Sequence, residues 1–269
     1  MLPEPEAGDR SWMRVVRAPS ETGSGAHPQG DPFGLTPNPY GESDPRGPRR
    51  ERRRIQAEGG RVAVKVCGLT TPEDAAGCAR LGVWGIGVVF APGSSRRVGV
   101  EQAAAVCAAI PEGVARVGVF VGASPAEMAA IARRAGLTHL QVHGGDADPG
   151  EARRASGLPV IEGVRVSGPE ALARARASAA DLVLLDAAVA GRHGGTGTVF
   201  EWALLEGDPL GRPFALAGGL TAANVGDAVR RLSPSLVDVS SGVESSPGRK
   251  DTERVAAFVA AVAGVGIAA

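Results

Sequence analysis

Aromatic side chains are scarce in this chain, 4% of 269 residues with a single tyrosine. No apolar run reaches the roughly 20 residues needed to cross a bilayer. The formal charge is zero. No basic field is therefore available to recruit nucleic acid, and the expected partner is a small molecule, with neither nucleic acid nor a membrane involved. Cysteine is limited to Cys67, Cys78 and Cys107, an odd number without C-x-x-C spacing. That pattern suggests neither a disulfide framework nor a zinc site, and reduced thiols are expected. The start, Met1-Leu2-Pro3-Glu4-Pro5-Glu6, is acidic and lacks the apolar segment of a secretion signal, so we expect a cytoplasmic protein.

The chain divides sharply by composition. Residues 1–60 are dominated by Pro, Gly, Ser and charge, and include the arginine run at 46–54. Such a segment cannot bury enough apolar surface to offset the entropy of ordering it, so 1–60 is expected to be a disordered tail. The arginine run reads as solvated, because acidic residues elsewhere in the tail balance it. Residues 61–269 are expected to form a single domain.

Within that domain short apolar runs alternate with Ala- and Arg-rich stretches at a period of roughly 20 to 35 residues, the spacing of parallel βα units. Strands are predicted at 62–67, 85–90, 116–121, 139–143, 159–164, 182–186, 213–217 and 236–240. Helix starts are marked by Thr71-Pro72-Glu73-Asp74, Ser124-Pro125-Ala126-Glu127 and Gly168-Pro169-Glu170, which place proline in the first turn with acids near the positive end of the dipole. Eight strand–helix units fit a (β/α)8 TIM barrel. An open doubly wound sheet is the alternative that pattern alone leaves standing.

In a barrel, the carboxyl ends of the strands form one mouth where chemistry is kept. Those ends are Cys67, Phe90 with its loop to Arg96 and Arg97, Val121, His143, Arg165, Asp186, Gly218 with Gly219, and Ser240 with Ser241. Strands one and six stand three apart in a ring of eight, so Cys67 and Asp186 face each other obliquely across the mouth. Cys67 alone reads as a buried core thiol, whereas its place at a strand end allows a partly ionised base. A carboxylate closing the apolar run 182–186 is costly unless it faces the mouth or caps the next segment. Ala217-Gly218-Gly219-Leu220-Thr221 and Ser240-Ser241-Gly242-Val243-Glu244 put bare amides at the last two strand ends, where barrels commonly hold phosphate. Arg96 has the planar fork that suits a carboxylate or phosphate, or else is a solvated loop residue. His143 could serve as base, donor or structural histidine. Gly194-Gly195-Thr196-Gly197 reads either as a lid or as a ligand contact, and it lacks the G-x-G-x-x-G spacing of a dinucleotide site.

Taken in order, the motifs KVCGLTTPEDA, GVVFAPGSSRRV, VGVFV, LQVHGGD, LVLLDA, GGTGTVFEW, LAGGLTAANV and DVSSGVESSPGRKD resemble the phosphoribosylanthranilate isomerase family through most of 62–251. The resemblance implies a (β/α)8 barrel catalysing an Amadori rearrangement in tryptophan biosynthesis, with a phosphorylated substrate and neither cofactor nor metal. It further implies that Cys67 is the general base, Asp186 the general acid and Arg96 the anchor for the anthranilate carboxylate. Gly218, Gly219, Ser241 and Gly242 would hold the phosphate, and His143 would join the substrate site. Departures are few: Arg97 adjoins the expected anchor and could compete with it, and Glu201 stands before Trp202 where relatives usually have aspartate. Rival readings are a histidine-pathway or bifunctional aminoaldose isomerase, whose enzymes use an aspartate at the position of Cys67, and a non-catalytic phosphate-binding barrel. Monomer and homodimer are both compatible with the sequence.

Overall fold

The structure, a computed structural model, describes residues 62–144, 147–186, 202, 204–207 and 210–265. The tail expected at 1–60, the Gly194-Gly195-Thr196-Gly197 stretch and Glu201 lie outside the described residues. Eight parallel strands close on themselves in sequence order: β1 (Ala63–Cys67), β2 (Gly85–Val89), β3 (Ala115–Val121), β4 (His139–His143), β5 (Val160–Arg165), β6 (Leu182–Asp186), β7 (Phe214–Ala217) and β8 (Leu236–Val239). The ring is sealed by β1 against β8, with Ala63 opposite Leu236 and Lys65 opposite Asp238. Closure excludes the doubly wound alternative. Each predicted strand boundary falls within one residue of the observed one, because apolar runs bounded by Gly, Pro or polar residues mark buried strands sharply.

Seven helices are seen among the described residues: α1 (Pro72–Arg80), α2 (Val100–Ala108), α3 (Pro125–Ala135), α4 (Pro149–Ser156), α5 (Pro169–Ala177), α6 (Val225–Leu232) and α7 (Thr252–Ala263). Their starts follow local chemistry. Thr71 accepts from the Asp74 amide ahead of α1, and Asp148 accepts from the Glu151 amide ahead of α4. Ser124 and Glu127 form a reciprocal capping box at α3, satisfying two amides that the helix cannot. No helix among the described residues is long and apolar enough to cross a membrane.

Alternation along each strand creates two cores. Outward residues such as Val64, Val66, Ile86, Leu140, Leu185 and Val237 pack under the helices in the larger one. Inward residues Ala63, Ala115, Val117, Ile161, Leu182, Leu184, Ala215 and Leu236 fill the lower barrel interior. Trp84, just before β2, meets His139 edge to face at 5.3 Å and helps plug that end. Above these layers the inward positions become polar: Lys65, Gln141 and Asp238 are buried there, with Cys67, His143 and Asp186 one step further up their strands. Position in the barrel thus turns a period-two pattern into a floor and a mouth.

After β8 the chain makes a short turn at Ser241–Val243 and an antiparallel hairpin, β9 (Glu244–Ser246) and β10 (Arg249–Lys250), before α7. Helix α7 buries Val255, Phe258 and Val262 in the outer core near the seam. Phe258 is fully buried. We expect Phe258→Ala to lower unfolding free energy by about 3–5 kcal/mol, measured by denaturant titration, through lost burial and the cavity left behind.

Candidate active site

A cavity of about 270 Å3 opens at the carboxyl ends of the strands. This is close to the lower end of small-molecule sites, which begin at roughly 300 Å3. Its lining includes Cys67, His143, Asp186, Gly218, Gly219, Ser241 and Gly242, seven of the eight residues singled out from sequence. Cys67 comes from β1 and Asp186 from β6, three steps round the ring, so they reach one cavity from separate arcs of its wall.

The phosphate-type end is shaped where β7 and β8 part company. Their ladder holds only Ala215 to Leu236 and Leu216 to Val237, and beyond it the two chains diverge into loops. A β-carbon on Gly242 would lie 2.0 Å from the Leu220 carbonyl oxygen, so only glycine lets the loops pack this closely. Asn224 braces the first loop: its side-chain oxygen accepts from the Thr221 amide at 2.8 Å and its Nδ2 donates to the Gly219 carbonyl at 3.0 Å. Backbone from both loops consequently borders the same end of the cavity.

His143 is half-buried, and its ring lies over Gly163, where a β-carbon would come within 2.1 Å of Cε1. Gln141 Nε2 sits 2.6 Å from His143 Nε2. Burial first, and then the Lys65 ammonium, lower the histidine's proton affinity below its ordinary value. His143 is therefore a neutral imidazole near pH 7, a hydrogen-bonding group with one ring nitrogen held by Gln141.

Arg96 does not line the cavity. Its Nε and Nη2 donate to the two carboxylate oxygens of Glu244 at 2.8 and 2.5 Å. Glu244 also accepts from Lys250 Nζ at 2.8 Å and from the Gly248 amide at 3.2 Å. The Arg96 stem crosses Gly68, which has φ of 80° and whose β-carbon would lie 2.4 Å from Arg96 Cδ. Gly68 is thus required both for its left-handed backbone and for the passage of this side chain. Along the loop Ser94, Arg96 and Val98 turn inward while Ser95 and Arg97 are exposed, which separates the two arginines that the sequence left in competition.

Sequence reading missed Lys65, Asp238, Gln141, Asn224 and Glu244. Lys65 is wholly buried, and its Nζ lies 2.9 Å from Asp238 Oδ2. A charged residue inside each of the apolar runs Val62 to Cys67 and Leu236 to Ser240 was the available signal. Burial raises the Cys67 thiol's proton affinity, Lys65 lowers it and Asp238 opposes Lys65. Cys78 and Cys107, both in helices, are pushed up to about 11 by burial and are ordinary core thiols.

The sequence model of N-(5'-phosphoribosyl)anthranilate isomerase matches residues 64–261. An isomerase of that name from Rubrobacter xylanophilus is 46% identical over 201 residues, covering 74% of this chain and 97% of the relative. The crystal structure of phosphoribosyl anthranilate isomerase from Thermotoga maritima is similar at a TM-score of 0.67 and 36% identity, covering 76% of this chain and 99% of that one. A second phosphoribosyl anthranilate isomerase structure, in complex with reduced 1-(o-carboxyphenylamino)-1-deoxyribulose 5-phosphate, is similar at a TM-score of 0.62 and 34% identity, with coverage of 76% and 99%.

Despite the cost of burying it, the Glu244 carboxyl falls from 4.5 to about 2 because Arg96 and Lys250 donate to its charged form. A depressed folded-state value stabilises the fold above the unfolded value, and this contribution is lost as pH falls from about 4.5 through about 2. We expect Glu244→Gln to be less stable than the natural protein at pH 7. Denaturant titrations should show that gap shrinking as pH falls through the same window.

Proposed function

The chain belongs to the N-(5'-phosphoribosyl)anthranilate isomerase family, and from that premise we propose that it converts N-(5'-phosphoribosyl)anthranilate into 1-(2-carboxyphenylamino)-1-deoxyribulose 5-phosphate for tryptophan biosynthesis. The observation that carries the assignment of roles is the meeting of Cys67 and Asp186 in one cavity, from strands three apart, beside the paired loops that end β7 and β8. The histidine-pathway alternative is not favoured by the family match or by these relatives.

The rearrangement needs an acid and a base placed apart. Asp186, as the carboxylic acid, gives its proton to the ring oxygen of the ribose, and the ring opens to an iminium ion conjugated with the anthranilate nitrogen. The positive nitrogen acidifies the hydrogen on sugar C2. The Cys67 thiolate removes that proton, leaving a neutral enolamine. Ketonisation adds a proton at C1 and removes one from the C2 oxygen, so the substrate leaves as its isomer. One proton passing from the sulfur side to the carboxylate side resets both groups.

Binding must hold the sugar between them. The amides of Gly218, Gly219, Ser241 and Gly242 suit the phosphate, since glycine lets backbone come close to an anion. At the other end, Glu244 occupies the Nε and Nη2 edge of Arg96, leaving Nη1 to meet the anthranilate carboxylate. His143, neutral and held by Gln141, supplies a hydrogen bond to the substrate. Fixing both ends removes much of the entropy of bringing the reacting atoms together. We place the reaction in the cytoplasm, on a monomer or homodimer.

Loss of phosphoribosylanthranilate fluorescence follows turnover. We expect Cys67→Ala and Asp186→Asn each to lower kcat by about 100-fold or more with the circular dichroism spectrum intact. Near-wild-type rates in both would sink the assignment.

A further inference from the structure

The polar layer beneath the cavity contains a group that the two-ended proton transfer does not use. Lys65 is fully buried and carries an ammonium into the barrel interior. It lies two residues before Cys67 on β1, so both side chains project from the same face of the strand. Its Nζ donates to Asp238 Oδ2 at 2.9 Å, and the Cys67 sulfur belongs to the next side chain above it on that face.

The neighbouring strand is shaped around this contact. Gly87 pairs with Cys67 in the β1–β2 ladder. A β-carbon there would sit 2.8 Å from Cys67 Sγ and 3.2 Å from Lys65 Nζ, so sulfur and ammonium converge on one vacancy that only glycine leaves open. On the other side Asp238 lines the cavity, and its Oδ1 is buried without a hydrogen-bond partner. The ammonium thus bonds the Asp238 carboxylate and lies near the Cys67 sulfur.

We propose that Lys65 is a positioning residue that supplies the counter-charge for the Cys67 thiolate, with Asp238 setting how much of that charge the sulfur receives. The proposal rests on the reading of Cys67 as the base. With Cys67 as thiol, Lys65 and Asp238 balance each other; with Cys67 as thiolate, one ammonium stands between two anions and holds both. Proton transfer from sugar C2 to sulfur then moves charge only a short way inside the layer. Other charged groups facing the sulfur are Lys250, from the hairpin beyond β8, and Arg96, from the loop after β2. Both are already tied to Glu244, which leaves Lys65 as the cation lying beside it.

The test reads the sulfur directly, independent of turnover. Full-length protein is treated with iodoacetamide across a pH series, and alkylation of the Cys67 peptide is followed by mass spectrometry. Relative to the natural protein, Asp238→Asn should move the midpoint to lower pH. Relative to Asp238→Asn, the double variant Lys65→Met with Asp238→Asn should move it upward by about one pH unit or more, a tenfold loss of thiolate near neutrality. The double variant removes both charges, so no ion is left buried alone. Coincident midpoints for the two variants overturn the proposal. If circular dichroism shows the double variant unfolded, an unchanged or higher midpoint in Asp238→Asn overturns it alone. Failure of the base reading is distinguishable, since it would appear as retained turnover in Cys67→Ala whatever the alkylation profile.

Discussion

A closed ring of eight parallel strands sends every second residue into a space with no solvent below and no helix to meet. The rest of the structure follows from how that space is filled. Ala, Val, Ile and Leu complete its lower layers, and Trp84 with His139 plugs the base. Higher up, glycines replace side chains on β2 and β5. Gly87 admits Lys65 and Cys67, and Gly163 admits the His143 ring. The cavity is the unfilled top of this stack, bounded by groups whose orientation is fixed by the packing beneath them.

The buried Lys65–Asp238 pair has no evident justification in stability. Desolvating two ions costs several kcal/mol, and apolar side chains of equal volume usually serve a fold as well or better. The pair also bridges β1 and β8, the seam that closes the barrel, through residues 173 positions apart in sequence. Ring closure and the electrostatics of the thiol thus depend on the same contact. Glu244 plays a comparable part at the rim, drawing Arg96, Lys250 and the Gly248 amide onto one carboxylate. That cluster fixes the loop after β2 against the hairpin that follows β8.

Much of the architecture was legible because its signals are local. Apolar runs ended by Gly, Pro or a polar residue gave the strands to within one residue, and Thr71 and Ser124 announced their helices. Cys67 and Asp186 could be singled out because strand ends in a barrel share one mouth. The residues that escaped are those whose meaning depends on register across the ring. Lys65 reads as an oddity in an apolar run until β8 brings Asp238 opposite it, and Arg96 reads as a free anchor until Glu244, 148 residues later, binds it. Gly163 is silent in sequence because its function is to leave room for His143, a residue on the neighbouring strand.

Acid and base acting from opposite sides of one sugar are tested most directly by a crystal structure of this protein with reduced 1-(o-carboxyphenylamino)-1-deoxyribulose 5-phosphate bound. The expected complex has the Cys67 sulfur within about 3.5 Å of sugar C2 and the Asp186 carboxylate on the opposite side of the chain. Its phosphate should rest on the amides of Gly218, Gly219, Ser241 and Gly242. A complex with the phosphate turned toward Arg96, or with Cys67 and Asp186 on the same side of the sugar, would contradict this arrangement.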